Sequence, residues 1–556
     1  MAPLTYINGT PIGITAVLVA LISSMGGMMF GYDTGQISDI LVMDDFKRRF
    51  AECDPAPSLD LIDVSTCEFS TVRSGCIVAL LSIGTLIGCL CGAPIADILG
   101  RRYAMVVECL VFFVGDIIQI TSSTHWVQYA IGRIVTGLGI GALSTAVPMY
   151  QAETSPSQIR GIVNAMYQFF VTFGILLAYC ISIGSRDLNN SGQWRLVIGI
   201  GFTWPTILAI FIQAMPESPR WLASKGRDEE ARRSIARVRG VTGNTRFGRK
   251  TKVEEELKTR WDGLVDRELA EMHNSIKAES QTANGTWADC FSPKDKVLYR
   301  TLLGMAIQTL QQLTGANYFF YYGATIFASV GIDDSFATQI ILGAVNFCCT
   351  FLGLYIMQNC GRRWPLILGG LWQSVWLFVY GALGTARDPI QDKVSGKVMI
   401  FASCMFILGF ASTWAPGAWV IVGETFPTRT RAKQAALATA SNWLFNFLLA
   451  FFTPFITKAI SFKYGFVFAA CNLVASVVIY FFLYESAGLT LEAVEMMYND
   501  PDCHAWSSAT WAPPGYKDRK DMTARLRSEN IKETVEHAES DSGSEKDSAI
   551  LGNARV

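Results

Sequence analysis

Apolar runs long enough to cross a bilayer recur near residues 12–35, 72–96, 103–121, 126–150, 161–184 and 196–215, and again near 300–330, 336–357, 364–384, 398–424, 434–458 and 464–484. A charged stretch over 217–298 separates the two sets, and polar sequence follows the last run. The pattern predicts twelve membrane-spanning helices with both chain ends on one side. It divides the chain into a six-span half over 1–216, a loop with short surface helices over 217–298, a second six-span half over 299–484, and a tail over 485–556. Beyond about Pro501 the tail turns polar, and its Ser- and Glu-rich end predicts a largely disordered segment. Lys517, Lys520, Lys532 and Lys546 there are open to modification or simply solvated.

Polar positions inside the apolar runs change this picture. The seventh run contains Gln311-Gln312-Leu313-Thr314-Gly315-Ala316-Asn317, followed at once by Tyr318-Phe319-Phe320-Tyr321-Tyr322. Carboxamides are costly in hydrocarbon and are tolerated where they face a bundle interior or a wet cavity. Each offers a donor pair and an acceptor, the chemistry that a neutral polyhydroxyl ligand requires. Aromatic faces beside them suit the C–H faces of a pyranose. A lone membrane Gln is more often glue between helices, but two adjacent Gln with an Asn and a Tyr pair favour a ligand site. Gln168, Asn346, Asn442 and Asn446 lie at membrane depth in other spans, the last two on one helix face. Trp414 and Trp419 flank Pro416-Gly417, which predicts a broken tenth span.

Ionisable residues within spans are few. Asp33, in Gly31-Tyr32-Asp33-Thr34-Gly35, sits near the outer end of span one; Arg133, which precedes Gly137, Gly139 and Gly141, sits at similar depth in span four. They are expected to pair, either structurally or as a proton-coupling couple. No strand precedes the glycines, so close helix packing accounts for them better than a nucleotide loop. Glu108 and Asp116 share a face of span three with no evident partner.

Three motifs recur in the same order in both halves. Gly100-Arg101-Arg102 returns as Gly361-Arg362-Arg363, Glu153-x-x-Pro156-x-x-x-Arg160 as Glu424-x-x-Pro427-x-x-x-Arg431, and Glu217-Ser218 as Glu485-Ser486. The chain is therefore a parallel repeat, with a ligand path expected between its halves. Arg101, Arg102, Glu153, Arg160, Glu217, Arg362, Arg363, Glu424 and Arg431 are candidates for a cytoplasmic gate, bridging helix ends while that mouth is closed. A single surface ion pair contributes only about 0–1 kcal/mol, so only a network would bias the two states.

Composition and charge exclude more than they add. A chain of 556 residues that is 51% apolar and 17% charged, with a mean hydropathy of +0.30, is polytopic rather than a string of soluble domains. Its 46 basic and 47 acidic residues make no field for nucleic acid. The first apolar segment lacks a basic leader and is read as a retained span. Basic residues fall in alternate loops, which places those loops in the cytoplasm; Lys47-Arg48-Arg49 is a local exception. Asn189-Asn190-Ser191 is then an external glycosylation sequon, while Asn8-Gly9-Thr10 and Asn284-Gly285-Thr286 face the cytosol. The fourteen Cys lack metal-ligand spacing, and neither a metal nor a cofactor beyond a coupling proton is expected. Cys53 and Cys67 share one polar loop, where a disulfide is open to them. An enzyme is not expected, because no nucleophile–base pair stands out.

Over about residues 12–500 the chain resembles the sugar porters of the major facilitator superfamily. The resemblance rests on Gly31-Tyr32-Asp33-Thr34-Gly35, Pro148-Met149-Tyr150-x-x-Glu153, Arg160-Gly161, Gln168-x-x-x-Thr172-x-Gly174, Pro216-Glu217-Ser218-Pro219-Arg220, Gln311-Gln312-x-x-Gly315-x-Asn317 and Glu424-x-Phe426-Pro427. The stretch after Gln311 and Thr413-Trp414-Ala415-Pro416 look most like fungal hexose transporters. The resemblance implies an all-α membrane protein of the major facilitator fold, twelve transmembrane helices in two six-helix halves. It implies a plasma-membrane hexose carrier with cytoplasmic termini, working by alternating access, whose partners are a monosaccharide, glucose first, and the lipid bilayer, and which acts as a monomer. Gln168, Gln311, Gln312, Asn317, Asn346 and Asn446 would hold the pyranose, with Trp419 against the ring. In proton-coupled relatives the acid matching Asp33 takes the proton, yet fungal facilitators also keep it. Symport, facilitated diffusion and a glucose sensor of the same fold all stay open. Two departures bear on the gate: Ile98 stands where a basic residue is usual, and Gln358-Asn359-Cys360 lacks the usual acid, while the last motif reads Tyr484-Glu485-Ser486-Ala487-Gly488.

Overall fold

The computed structural model describes residues 4–7, 10–54, 62–156, 159–241, 263–277, 286–329, 334–387, 392–427, 429–489, 491–516 and 518–519. Apart from a short hairpin pairing Thr5–Ile7 with Thr10–Ile12, the described regular structure is helical. Among the described residues, ten stretches are long and apolar enough to span a membrane. One of them, Arg431–Phe482, is two spans joined at the turn Ser461–Lys463. The remaining span is Val297–Leu313 continued by Ala316–Ser329, which escapes a length criterion because it is broken. The spans are thus twelve, as the hydropathy predicts.

The break in span seven is built by Gly315, whose φ of +95° lies in the left-handed region. A Cβ there would lie 2.7 Å from the Phe468 ring. Gly315→Ala is therefore expected to lose more than about 1–2 kcal/mol, the backbone term alone, and to reach the surface in reduced amount. Thermal unfolding of the purified variant checks this.

Packing within the first half follows the glycines. A Cβ on Gly84 or Gly88 of span two would strike the carbonyls of Ile134 or Leu138 at 2.1 and 2.3 Å. One on Gly137 or Gly141 of span four would strike those of Leu81 or Thr85 at 2.3 and 2.1 Å. Helix backbones touch here, which larger side chains would prevent. The expected packing role of these glycines is what the structure has.

The halves are tied together at one end. Ser38 of span one accepts from the Ala324 amide and from Gln339, both at 3.1 Å, and Tyr179 donates to the Phe320 carbonyl at 3.5 Å. Arg186 pairs with Asp334 at 2.6 Å, and that bond holds the Asp334 carboxyl below its ordinary range. The helix Asp44–Phe50 closes over this end, its Phe46 and Phe50 buried against Trp194. Lys47-Arg48-Arg49 thus belongs to a packed helix at this end, in which Arg49 bridges Asp45 at 2.7 Å. The Cys53–Cys67 disulfide is formed in the same loop. Asn189 and Asn190 are exposed at this end. Further contacts between the halves lie about the central cavity, where Thr350 donates to Thr172 at 3.3 Å and Phe169 packs on Phe347.

At the opposite end the chain after 485 departs from expectation. Leu491–Asn499 is a helix, and Cys503, Ala505 and Ser508 are buried. Arg519 donates to the carbonyls of Glu485, Ala487 and Trp511, at 2.9, 2.8 and 2.9 Å. The expectation of a largely disordered tail is thus corrected for its first part: the segment to 519 folds onto the second half because it carries apolar anchors and one multiply bonded guanidinium. Lys517, Lys520, Lys532, Lys546, Asn8, Asn284 and the stretch 242–262 lie outside the described residues.

Candidate functional site

Between the halves lies a cavity lined by Gln168, Gln311, Gln312, Asn317, Asn346, Trp419 and Asn446. All seven residues proposed from the sequence as ligands converge there, from spans five, seven, eight, ten and eleven. Phe30, Thr34, Phe320, Tyr321, Asn442 and Trp443 complete much of the wall. Of the aromatic band after Asn317, only Phe320 and Tyr321 face the cavity. Tyr318 sits 3.4 Å from Tyr380, and Tyr322 donates to the Ala450 carbonyl at 2.6 Å.

Two broken helices supply this wall. Gly315 interrupts span seven between the Gln pair and Asn317. In span ten a π-helical turn, Phe410–Trp414, precedes Pro416 and sets Trp419 on the cavity. The expected break at Pro416-Gly417 therefore takes the form of a wide turn just before the proline. Trp414 is buried and donates to the Leu366 carbonyl at 3.0 Å, so it anchors the turn while Trp419 faces the cavity.

The carboxamides are interlocked. Gln312 donates to Asn442 Oδ1 at 2.9 Å and accepts from Asn317 and Asn446 at 2.6 and 3.1 Å. Gln311 donates to the carbonyls of Trp414 and Ala415 at 3.3 and 3.4 Å and accepts from Asn442 at 2.7 Å. Asn446 Oδ1 accepts from Ser82 at 2.6 Å and Tyr321 at 3.2 Å. Counting capacity, Gln312, Asn317 and Asn446 each retain one N–H for a guest, and Asn317 retains its Oδ1. The side chains of Gln168 and Asn346 make no hydrogen bond among the described residues, where only their main chains are engaged, so both side chains are free to donate and accept. Such a surface matches several hydroxyls at once and offers no charge. Gln308, Ser82 and Trp443 are wall or support residues that the sequence reading missed; Gln308, one turn before the Gln pair on the same face, had the spacing to be found.

Beside the cavity, Arg133 donates to Asp33 at 2.7 Å, and Gln36 donates to the other Asp33 oxygen at 2.8 Å. The expected pair exists, and both side chains are excluded from solvent. Asp116, for which the sequence shows no evident partner, belongs to the same buried cluster and accepts from Thr136 and Gln119, each at 3.2 Å. Glu108 is buried with no hydrogen-bond partner for its carboxylate among the described residues.

The repeated motifs form twin clusters at the end opposite the disulfide. Arg101 grips Glu153 with two bonds, 2.9 and 3.0 Å, and Arg362 grips Glu424 likewise, 3.1 and 2.9 Å. Ser218 and Ser486 each donate to the matching Glu at 2.6 Å. Glu217 accepts from the amides of Arg101 and Arg102, and Glu485 from those of Arg362 and Arg363. Burial pushes the Glu217 carboxyl up against these donors. Arg102 and Arg363 tie the next chain segment through the carbonyls of Met215 and Tyr480. Each cluster lies within one half. Arg160 takes no part in Glu153's bonds but lines a second cavity together with Glu153, Arg220, Arg239 and Glu268, and Arg431 donates to the Phe426 carbonyl.

The twins differ where the sequence departs from the family pattern. Arg101 has a second carboxylate, Asp97, at 2.8 Å, whereas Gln358 stands at the equivalent place beside Arg362. Glu424→Ala is therefore expected to destabilise the protein more than Glu153→Ala, by about 1–2 kcal/mol, because it strips Arg362 of its ion pair. Unfolding temperatures of the two purified variants check the order.

Two pseudo-symmetric six-helix halves around an uncharged, amide-rich cavity define a membrane transporter for a neutral polar solute. The family model described as "Sugar (and other) transporter" matches residues 19–498, and the chain belongs to that family. It is 45% identical over 493 residues to the high-affinity glucose transporter ght2 of Schizosaccharomyces pombe, covering 87% of this chain and 88% of that one. It is 41% identical over 505 residues to the hexose transporter HXT10 of Saccharomyces cerevisiae, with 90% and 88% covered. The fold is that of the E. coli proton:xylose symporter XylE of the major facilitator superfamily, at 24% identity and a TM-score of 0.68, with 87% of this chain and 99% of that chain aligned.

Proposed function

We propose that this chain carries hexoses, glucose foremost, across the plasma membrane by alternating access, with a proton taken up at Asp33 and the monomer as the working unit. The observation that carries the reading is the convergence of Gln168, Gln311, Gln312, Asn317, Asn346, Asn446 and Trp419 on one cavity between the halves. Their donors and acceptors suit pyranose hydroxyls, and Trp419 offers an apolar face for the ring. The relatives named as glucose and hexose transporters support the substrate, and the symporter of like fold supports the proton.

The halves are joined at the disulfide end, which corresponds to a state closed outward and facing the cytoplasm through the basic end. A disulfide belongs in an oxidising compartment, and basic loops belong inside, so the two cues agree on the orientation. Both termini are then cytoplasmic. The twin Arg–Glu clusters keep each half rigid while the halves rock, and the Arg186–Asp334 bridge and the Ser38 bonds must open on the outer side.

The test is uptake of labelled glucose by cells that lack their own hexose carriers. Saturable uptake that unlabelled hexoses compete is expected. Binding of glucose to the purified protein without flux in reconstituted vesicles would instead make it a sensor.

A further inference from the structure

The amides around the cavity are joined in a chain whose polarity is fixed by backbone groups of span ten. A carbonyl oxygen only accepts, so Gln308 presents its Nε2 to Ala418 at 3.4 Å and Gln311 its Nε2 to Trp414 and Ala415. The Oε1 atoms of both glutamines then face Asn442, whose Nδ2 meets each at 2.7 Å. Asn442 Oδ1 is thereby turned toward Gln312 and takes its N–H. Gln312 Oε1 is left for the N–H groups of Asn317 and Asn446, and Asn446 Oδ1 is filled by two hydroxyls. Reversing any one amide sets donor against donor or acceptor against acceptor with its neighbour. Gln308 is fully buried and Asn442 is 2% exposed, so water does not repair such a mismatch.

We infer that Asn442, with Gln308 behind it, is a positioning residue that sets the donor–acceptor polarity of the binding site, so that Gln312, Asn317 and Asn446 all present N–H to the sugar. The inference rests on the reading that these three residues hold the hexose. It assigns a role in selectivity to Gln308, which does not line the cavity. The sugar hydroxyls that meet these N–H groups act as acceptors, while Asn317 Oδ1 remains open to one that donates. Gln168 and Asn346 serve the hydroxyls that must donate.

A C–F group accepts weakly and cannot donate, and a C–H group does neither. Competition of labelled glucose uptake by each deoxyfluoroglucose and its matching deoxyglucose reads the polarity directly. The wild-type protein is expected to prefer the fluoro sugar over the deoxy sugar at one or more ring positions by at least about threefold. Asn442→Ala and Gln308→Leu are expected to erase that preference and raise KM about three- to tenfold, with maximal rate per surface molecule changed less. Asn442→Ser, whose hydroxyl both donates and accepts, is expected to restore part of it. Should Asn442→Ala fail to reach the surface, Gln308→Leu and Asn442→Ser still carry the test. Variants that keep the wild-type fluoro-to-deoxy ratios at every position would overturn the relay. A wild type with normal glucose uptake but no fluoro preference anywhere would overturn the donor-facing polarity. Uptake that Gln312→Ala leaves unchanged would instead strike the underlying site reading.

Discussion

Gln312→Ala is expected to abolish most hexose transport while leaving the protein at the cell surface. The side chain accepts from Asn317 and Asn446 and donates to Asn442, so its loss frees two sugar-facing donors from their shared acceptor. It also removes the N–H that Gln312 itself offers the guest. Each buried partner left unmatched costs about 1–3 kcal/mol, which for one lost contact is a factor of about 5 to 150 in affinity. The fold should survive because the alanine leaves polar space on the cavity wall, which a water molecule can fill. KM, maximal rate and surface abundance measured together check the prediction. Normal kinetics in a well-expressed variant would remove Gln312 from the sugar site.

Much of this site was legible in the chain because the membrane makes polar residues conspicuous. The buried amides stood out by chemistry, the resemblance to sugar porters made a set of seven in five spans, and the fold brings all seven to one cavity. What periodicity cannot show is which face of an aromatic run turns inward: Tyr318 and Tyr322 face the core, Phe320 and Tyr321 the cavity. The twelve spans were readable for the same reason, but the helix break at Gly315 was not. A glycine in a span has several uses, and only the approach of Phe468 with a positive φ selects this one.

The repeated charges taught a different lesson. Sequence order showed that Glu153 and Arg160 recur together, which invites a pair between them. The structure gives Glu153 to Arg101 instead, across a separation of 52 residues that local spacing cannot reveal. Arg160 and Arg431 keep matching places in the two halves without sharing that bond. Asp116 was likewise visible as a buried acid and invisible as a neighbour of Asp33, since only the packing of spans one, three and four joins them. The tail beyond Pro501 read as polar by composition, and its few apolar residues were too sparse to announce a folded segment.

Asp33→Asn is expected to uncouple accumulation from transport. In the structure Asp33 spends one oxygen on Arg133 and the other on Gln36, in a site closed to solvent. Arg133 makes that single side-chain bond, and its Nε and Nη2 have no partner among the described residues. The guanidinium is therefore held by one carboxylate, and whatever neutralises that carboxylate removes the ionic part of the hold. On the proposed reading a proton arriving at Asp33 from the outer side does so, beside the cavity that Tyr321 lines. With asparagine in place the ionic hold is permanently absent: exchange of sugar across the membrane continues, but no proton gradient is harvested. Wild-type cells are expected to alkalinise the medium on sugar addition and to accumulate sugar until a protonophore collapses the gradient. The variant should show neither. Breaking a buried pair from one side also costs about 3–5 kcal/mol, so exchange must be normalised to surface abundance. Arg133→Leu, which strands the carboxylate, should be the less abundant of the two single variants. The amide oxygen introduced by Asp33→Asn still accepts from Arg133, whereas nothing replaces the guanidinium. If the wild-type protein merely equilibrates sugar and ignores the protonophore, it is a facilitator and the Asp33–Arg133 pair is a structural clasp between spans one and four.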